Sequence, residues 1–316
     1  MIREKLNKWG KEKTPFLFLI DFEMQKPLAW PLDAVPENVF YNFNGATNTP
    51  THKPGRIERL VFNKNPVSLN DYSLKFNAVQ KQLNLGNSFL LNLTVPTPVT
   101  TNLDLHAIYL NAQSKYAICL KDQFVSFSPE TFVKIKPPFI YTYPMKGTID
   151  ANLPQAEQTI LNDSKEAAEH ATIVDLMRND LSKVAREVTV TRYRYYEEIQ
   201  ARGKKIGQIS SEIRGKLPEG FYDSLGDLLY SMLPAGSISG APKQKTVELI
   251  SAIEAQPRGY YTGVAFYFDG LSLDSCVLIR YIDDKGCFRS GGGITALSEL
   301  NSEYQEMIDK VYVPFY

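Results

Sequence analysis

Residues 276–294 read CVLIRYIDDKGCFRSGGGI, and this stretch decides the fold class. An apolar run leads into the Asp-Asp-Lys-Gly segment at 283–286, and a second strand-like run follows it, which is the pattern of a β-hairpin. Residues 115–129, KYAICLKDQFVSFSP, repeat this pattern around a turn at 121–123. Because such short turns join antiparallel strands, we expect antiparallel sheets and not a doubly wound parallel sheet.

The rest of the chain mixes strand-like runs with helical patterns. The first 70 residues read as short strands and turns, with a polar loop at 42–55. Two later strand-like runs, at 88–99 and 132–148, contain prolines that we expect to stop or divide them, and a third run lies at 261–270. Apolar residues at helical spacing predict helices at 74–85, 155–185 (with a cap and a break at Asp163-Ser164), 221–233, 244–255 and 302–312. This mixture predicts the α+β class.

The composition is that of an ordinary globular protein. Of the 316 residues, 43% are apolar and 22% are charged, so a sizeable core can form and disorder is not expected. Thirty-five basic and 35 acidic side chains leave a formal net charge of zero. We therefore expect no nucleic-acid partner and no membrane partner, because broad binding to either depends on an excess of basic residues.

The cysteines, histidines and apolar runs limit the kinds of metal site, disulfide framework and membrane segment that the protein can have. Three scattered cysteines without a CxxC pair exclude a disulfide framework and a cysteine zinc site. With only three histidines, including His52, any bound metal is expected to have oxygen ligands. The charged N-terminus has no apolar leader core, and the apolar run that follows is too short to span a bilayer. We expect a cytoplasmic protein.

Two pairs of glutamates have a spacing that suits a metal site. Glu166 with Glu169, and Glu303 with Glu306, are each three residues apart on a predicted helix, which places each pair on one face. Carboxylate oxygens are ligands that Mg²⁺ accepts, so a site of four carboxylates is conceivable if the fold joins the pairs. The alternative for each pair is the solvated acidic face of a surface helix.

Lys146 and Arg280 are the two basic residues in unusual surroundings. Lys146 follows Pro144 at a strand end, and an amine in a partly dry pocket loses its proton more easily and can act as a nucleophile. The alternative is an exposed turn lysine. Arg280 lies within an apolar run, so we expect it to be at least half-buried against an anion, either an internal carboxylate or that of a ligand.

Two glycine-rich segments offer backbone N–H groups to an anion. They are PAGSISGAPK at 234–243, before a predicted helix, and SGGGIT at 290–295, after a predicted strand. Neither is a P-loop or a dinucleotide-binding motif. The alternative is glycines that only permit tight turns.

Seven segments, taken together and in order, resemble the chorismate-utilising enzymes. They are SFLLNLT (88–94), FSPETF (127–132), YPMKGT (143–148), EHATIVDLMRNDLSKVA (169–185), LPAGSISGAPK (233–243), RGYYTG (258–263) and GGGITALSELNSEYQE (291–306). The resemblance covers about residues 74–310 and implies one domain, 1–316, of two packed antiparallel sheets flanked by helices in four layers. Residues 1–73 carry no motif and would be a shortened N-terminal part. The resemblance also implies a bound Mg²⁺ and chorismate as substrate.

The resemblance assigns roles to residues by position. Glu130 matches the acid/base carboxylate, and the metal ligands would be Glu169 and Glu306, completed by Glu166 and Glu303. The residues that match contacts to the substrate or the border of its pocket are Tyr261, Arg280, Ser237, Lys243, Gly291, Gly292 and Gly293. Gln208 occupies a position near the substrate where the family usually has histidine, so rate or product could differ. Thr131 and Leu297 also depart from the family pattern.

Lys146 separates the branches of this family. A lysine at that position resembles aminodeoxychorismate synthase component I, in which it attacks chorismate, expels the C4 hydroxyl and is then displaced by ammonia to give 4-amino-4-deoxychorismate. Leu90 stands where the water-using branches have a base lysine, which argues against water chemistry. No glutaminase motif is present, so the resemblance implies either free ammonia or a glutamine amidotransferase partner. The alternatives are anthranilate-type amination and a non-catalytic chorismate-binding subunit.

Overall fold

The structure is a computed structural model that describes residues 1–49, 61–201 and 204–315. His52 and the end of the predicted loop at 42–55 lie outside the described residues. None of the helices in these ranges is long and apolar enough to cross a membrane.

The described residues form eight α-helices and three 3₁₀ turns. The α-helices are α1 (Ile2–Lys11), α2 (Leu69–Asn84), α3 (Leu105–Asn111), α4 (Ala156–Asn162), α5 (Ser164–Ser182), α6 (Leu225–Ser231), α7 (Lys243–Glu254) and α8 (Leu300–Asp309). The 3₁₀ turns are Leu32–Ala34, Phe221–Ser224 and Gly236–Ile238.

The described residues also form eighteen strands. They are β1 (Phe16–Ile20), β2 (Leu28–Pro31), β3 (Val39–Phe43), β4 (Ala46–Thr47), β5 (Phe62–Lys64), β6 (Leu90–Thr101), β7 (Tyr116–Leu120), β8 (Phe124–Ser128), β9 (Lys134–Lys136), β10 (Phe139–Thr142), β11 (Met145–Asp150), β12 (Arg186–Ala201), β13 (Lys204–Lys216), β14 (Gly240–Ala241), β15 (Val264–Phe268), β16 (Leu273–Val277), β17 (Tyr281–Asp283) and β18 (Cys287–Ile294).

The strands form two antiparallel sheets of nine strands each. In the first, the order is β11-β13-β10-β9-β16-β15-β1-β2, and β12 also pairs with β13. In the second, the order is β14-β6-β18-β17-β8-β7-β3-β4, and β5 also pairs with β6. The predicted α+β class with antiparallel sheets flanked by helices is confirmed.

The two sheets pack face to face because their central strands are apolar on both faces. On β1, Leu17 and Leu19 belong to a core shared with Tyr116 of the second sheet. The alternate residues Phe16 and Phe18 belong to the core that contains helical residues of α1 and α6. A third core joins the outer face of β7 to α3. Helices therefore cover both outer faces, and the uninterrupted apolar run of β1 follows from burial on both sides.

The helix break at Asp163 is confirmed. Asp163 ends α4 and caps α5, and its side chain accepts a hydrogen bond from the backbone N–H of Glu166. An aspartate at this position satisfies one of the free N–H groups of the first helical turn. The cap thereby fixes the start of α5 and the direction in which Glu166 and Glu169 project.

Two expectations about element boundaries are wrong. The N-terminus is not made of strands and turns alone, because residues 2–11 form α1. The prolines do not stop β6, which runs through Pro96 and Pro98 to Thr101. They are tolerated there because the Pro98 carbonyl, and with it the proline nitrogen, faces β5 and its flank rather than the β18 ladder.

The longest hairpin, β12 with β13, has no counterpart among the predicted elements. Most of β12 is exposed, and its register with β13 shifts three times. Because β12 is largely exposed, its charged and aromatic residues form no apolar face. The sequence therefore lacks the alternation from which a strand could be predicted. This hairpin extends the first sheet beyond β11, the strand that carries Lys146.

The apolar run before the turn at 283–286 is not one strand, contrary to expectation. Its first part is β16 of the first sheet and its last part is β17 of the second sheet. The chain crosses between the sheets at residues 278–280, where Arg280 has a φ of 54°. A positive φ is unfavourable for arginine, so the surrounding structure must hold it there. The crossing places Arg280 between the two sheets.

Candidate active site

A cleft of about 150 Å³ opens between the ends of the two sheets. The titratable side chains that line it are Glu130, Tyr143, Lys146, Glu169, Tyr261, Arg280, Glu306 and Lys310. The other lining residues that the argument uses are Leu90, Asn92, Ser237 and Gly291–Gly293. Ten of the fourteen residues predicted for the site therefore line one cavity, although they come from widely separated parts of the sequence.

Lys146 reaches the cavity from a bulge in β11. The register with β13 shifts between Lys146 and Thr148, and Gly147 has a φ of 80°. A Cβ at Gly147 would lie 2.8 Å from Glu166 Oε2, which is the end of a flexible side chain, so the positive φ of the bend is what favours glycine here. Lys146 Nζ lies 2.7 Å from Glu169 Oε2.

The pKa of Lys146 is shifted in the direction opposite to the expectation. Burial alone would lower it, but Glu169, followed by Glu306 and Glu166, outweighs burial and raises the pKa above its ordinary value. The partly dry pocket is therefore not enough to release the proton. In this arrangement Lys146 is an ammonium group, and it becomes nucleophilic only when the surrounding negative charge is reduced.

The four predicted metal-binding glutamates act on the same ammonium group. Glu169 bonds to Lys146 directly, and the charges of Glu166, Glu303 and Glu306 interact with it. Burial raises the pKa of Glu166 and of Glu303, which fits carboxylates that are crowded together without enough positive charge. The fold therefore brings the two Glu pairs to the same region.

The carboxylates do not close around an ion in this arrangement. Among the described residues, no three His, Cys, Asp or Glu side chains are close enough to hold a metal ion. Glu169 is paired with Lys146, and Glu306 Oε1 lies 2.5 Å from Lys310 Nζ. Glu166 Oε2 is buried without a hydrogen-bond partner in the described part of the chain. The donor set is thus all carboxylate oxygen, with one oxygen unused, which suits a hard divalent cation.

The three glycines lie within β18 and not after it, and Gly292 faces α8 at the cavity wall. A Cβ at Gly292 would lie 3.2 Å from Glu306 Oε1 and 3.4 Å from Glu303 Oε2. A Cβ at Gly291 would lie 1.9 Å from a backbone oxygen of β6. Any larger residue at Gly291 would force β18 and β6 apart. β17 pairs with only the first part of β18, so the glycines lie where one edge of β18 has no strand partner among the described residues.

Glu130 is held by Ser237. The Ser237 hydroxyl donates to Glu130 Oε1 at 2.5 Å, which joins the segment after β8 to the 3₁₀ turn at Gly236–Ile238. Burial raises the pKa of Glu130, although Ser237 and the charge of Arg280 oppose the shift. A carboxyl group with a raised pKa can hold a proton near neutral pH and deliver it to a leaving group.

Tyr261 and Arg280 line the cavity on the side of the sheet crossing. Tyr261 is buried, and burial raises the pKa of its hydroxyl to about 12, so it remains a hydrogen-bond donor. Arg280 Nε is buried without a partner among the described atoms, and no carboxylate there forms an ion pair with this arginine. Of the two anions expected for Arg280, a ligand carboxylate fits this position better than an internal one.

Two predicted substrate contacts do not line the cavity. Lys243 Nζ lies 2.7 Å from Asp180 Oδ2 and donates to the Met232 carbonyl, so it links α7 to α5 behind the cavity wall. Gln208 is buried in β13 and donates toward Met145 Sδ, 3.2 Å away. Gln208 therefore touches a residue that lines the cavity without lining it itself.

Lys310 lines the cavity but was absent from the predicted site. Its Nζ donates to the Gly291 carbonyl at 2.8 Å and to Glu306, and burial lowers its pKa. The signal in the sequence is its spacing, because Lys310 follows Glu306 by four residues and shares its helix face. With Lys310, three cations and three carboxylates line the cavity.

Comparison with known proteins identifies the family of this fold. The sequence profile described as chorismate binding enzyme matches residues 24–315. An uncharacterised PabA-like protein of Pasteurella multocida is 52% identical over 98% of this chain and 97% of its own length. Aminodeoxychorismate synthase component 1 of Salmonella typhimurium is 32% identical over 86% of this chain, which spans 62% of that protein. The menaquinone-specific isochorismate synthase of Escherichia coli has a similar fold, with a TM-score of 0.75 at 16% identity over 98% of this chain and 80% of that one.

Proposed function

The chain belongs to the chorismate binding enzymes, and on that premise we propose that it is the aminating component of an aminodeoxychorismate synthase. The reaction would convert chorismate and ammonia into 4-amino-4-deoxychorismate, the precursor of 4-aminobenzoate. One observation carries the proposal: Lys146 and Glu130, an amine and a carboxyl group of raised pKa, line the same cavity. Together they supply the nucleophile and the acid that a covalent substitution needs.

In the proposed first step, Lys146 loses its ammonium proton to solvent, and the neutral amine forms a bond to C2 of chorismate. The ring double bonds shift, the C4–O bond breaks, and Glu130 gives its proton to the departing hydroxyl, which leaves as water. The Ser237 hydroxyl, which donates to Glu130, holds the carboxyl group for this transfer. In the second step ammonia forms a bond to C4, the double bonds shift back, and the C2–N bond to Lys146 breaks.

Substrate binding would use the cations and donors of the opposite wall. Chorismate is a dianion, and Arg280 has a buried N–H without a partner in the described structure, so it suits the side-chain carboxylate, with Tyr261 as a further donor. Lys310 and the Gly291–Gly293 backbone border the same space. The lining residues are balanced in formal charge, three cations against three carboxylates, so they do not by themselves neutralise a dianion.

A bound Mg²⁺ would correct this balance. We propose Glu169 and Glu306 as its main ligands, with Glu166 and Glu303 completing the shell, some through water. When bound, the cation would hold the ring carboxylate of the substrate. For the ion to bind, Glu169 must share or release its bond to Lys146, and Glu306 its bond to Lys310.

Ammonia is proposed to come from a glutamine amidotransferase partner. All three cysteines are in or next to strands, and burial raises the pKa of each thiol, which is the opposite of what a glutaminase nucleophile requires. Glutamine hydrolysis would therefore take place on another chain, with free ammonium salts as a substitute in the test tube.

The test of this function is the identity of the product. Purified protein is mixed with chorismate, Mg²⁺ and an ammonium salt, and the product is identified by chromatography and mass, with a 4-aminobenzoate-forming lyase as a coupled readout. We expect a 4-amino product that requires both Mg²⁺ and ammonium. A 2-amino product would establish anthranilate-type chemistry instead. Tight chorismate binding without turnover, even with the amidotransferase added, would identify a binding subunit.

A further inference from the structure

A buried ion pair behind the cavity wall has no part in the chemistry described so far. Arg258 and Glu254 have side-chain exposures of 1% and 2%, and their shortest contact is 2.6 Å. The pair is bidentate, since Arg258 Nε also donates to the second carboxylate oxygen at 2.9 Å. Glu254 further accepts from the backbone N–H and the hydroxyl of Thr94 on β6. Every carboxylate oxygen is therefore satisfied, which is the condition under which a buried pair is tolerated.

The remaining donors of Arg258 go to three separate segments that line the cavity. One nitrogen donates to the Ile238 carbonyl at 2.8 Å and to the Thr262 hydroxyl at 3.3 Å. The other donates to the Asn92 carbonyl at 2.7 Å. Ile238, Asn92 and Thr262 all line the cavity, and they belong to a 3₁₀ turn, a strand and a turn that have no sequence continuity.

We call the bonds from Arg258 to Ile238, Asn92 and Thr262 the clamp. The turn that bears Tyr261 depends on it. The backbone N–H groups of Arg258 and Gly259 donate to the two oxygens of Glu23, which fixes the start of the turn. Thr262 has a φ of 59°, which is costly for a β-branched residue. Its hydroxyl contacts both Arg258 and the Tyr261 carbonyl. The turn is thus held in a strained shape from both ends, and Tyr261 projects from it into the cavity.

We propose that Arg258, paired with Glu254, is a positioning residue that sets the distances between the substrate-binding walls of this cavity. The inference rests on the proposed function for its substrate. Arg258 makes no direct contact with Lys146 or Glu130, and its link to Glu130 passes through the turn at Gly236–Ile238, whose Ser237 bonds to Glu130. The pair therefore acts first on how substrate is held. A planar guanidinium can reach three carbonyl or hydroxyl oxygens and a carboxylate at once, which an ammonium cannot do.

The test compares Arg258→Lys with a control variant at a less buried ion pair elsewhere, Lys134 with Asp274, whose side-chain exposures are 17% and 20%. Lysine keeps the charge next to Glu254 but cannot bridge Ile238 and Asn92. We expect the Kd for chorismate in the presence of Mg²⁺ to rise about tenfold or more, while kcat falls by about threefold at most, because Arg258 reaches Glu130 only indirectly, through the turn that bears Ser237. Lys134→Met, which breaks a 2.8 Å pair with Asp274 away from the cavity, should lower stability and leave the Kd unchanged.

A milder variant covers the case in which Arg258→Lys does not fold. Glu254→Gln keeps the shape of the pair and weakens its charge, and we expect the Kd to rise about threefold, with kcat retained. The proposal is overturned if folded Arg258→Lys binds chorismate within about twofold of wild type. It is also overturned if Lys134→Met raises the Kd as much as Arg258→Lys does.

Hydrogen exchange of the ligand-free protein gives a readout that does not depend on chorismate. In Arg258→Lys, peptides covering 236–241 and 259–264 should exchange faster than in wild type, while α5 should not change. In Lys134→Met these peptides should exchange as in wild type. Unchanged exchange at both segments in Arg258→Lys would overturn the clamp even if wild type bound chorismate. Conversely, a wild type that does not bind chorismate refutes the proposed function alone.

Discussion

Lys146 and Lys243 form nearly identical ion pairs with the same helix, and their pKa values shift in opposite directions. Each ammonium lies 2.7 Å from a carboxylate of α5, Glu169 for Lys146 and Asp180 for Lys243. Burial followed by the competing charge of Lys183 lowers the pKa of Lys243 to about 8, despite the attraction of Asp180. Burial of Lys146 is outweighed by several carboxylates, and its pKa rises.

The comparison shows that the number of charges around a pair, and not the contact distance, decides its protonation. Asp180 forms ion pairs with two lysines, whereas Lys146 pairs with one glutamate and interacts with the charges of three more. An excess of negative charge around a single ammonium is unstable unless more positive charge is supplied. The charges of the Lys146 region therefore suit the cation proposed above, whereas Asp180 in the Lys243 region is already paired with two lysines.

The largest expected difference between the two lysines is in turnover. Lys146→Ala removes the proposed nucleophile and should lower kcat on the order of 10³-fold or more. Lys243→Met should leave the kcat of the folded fraction within about threefold of wild type, because Lys243 does not line the cavity. Initial rates of 4-amino product formation measure both. Comparable losses in the two variants would remove the distinction between them.

In folding stability the two variants should behave alike. Lys243→Met leaves Asp180 buried with only Lys183, and breaking a buried pair in this way costs about 3 kcal/mol of unfolding free energy. Lys146→Met leaves Glu169, which is 8% exposed, without its ammonium group, so a loss of similar size is expected. Urea unfolding of the metal-free proteins measures both losses. An unfolding free energy for Lys243→Met equal to that of wild type would contradict the structural role of this pair.

Of the two lysines compared here, only Lys146 should affect the affinity for a divalent cation. If the ion and Lys146 compete for Glu169, Lys146→Met should bind Mn²⁺ or Mg²⁺ about tenfold more tightly than wild type, since a nearby positive charge is removed. Lys243→Met should bind the ion as wild type does. Calorimetric titration without substrate gives both constants. Weaker binding by Lys146→Met would show that the ammonium does not compete with the ion.

The last difference between the two lysines lies in the pH dependence of stability. The pKa of Lys243 is about 8 in the folded protein and near 10.5 when unfolded, so between these values the unfolded chain binds more protons and stability rises with pH. The contribution is at most about 1.4 kcal/mol per pH unit. Lys243→Met should lose this rise between pH 8 and 10.5. If wild type and variant show parallel stability curves across that range, the lowered pKa of Lys243 is wrong.

Much of the fold was predictable because it follows from local signals. The hairpin around 121–123, the helix break at Asp163 and the antiparallel class all depend on turn residues, caps and apolar periodicity that lie close together in the sequence. The crossing at Arg280 was not predictable in this way. Both strands that flank it are apolar, and only their pairing with different sheets separates them.

In the site, too, some features were predictable from the sequence and others depend on distant contacts. Motif order places ten predicted residues around one cavity, yet the sequence gives no account of what each contacts. Lys243 belongs to a segment that borders the cavity, but its long side chain turns to Asp180, which lies 63 positions away in sequence. The raised pKa of Lys146 likewise depends in part on Glu306 of α8. The residues next to Lys146 in the sequence cannot predict that this C-terminal helix lies beside it.

The most direct test of the central claim is the intact mass of the enzyme with its substrate. Wild type, Lys146→Ala and Lys243→Met are mixed with chorismate and Mg²⁺ without ammonium, quenched and analysed by mass spectrometry with peptide mapping. We predict an adduct of chorismate less water on the peptide that contains Lys146, in wild type and Lys243→Met but not in Lys146→Ala. Wild type that turns over with ammonium and never forms this adduct, or Lys146→Ala that makes the 4-amino product at the wild-type rate, would contradict the account.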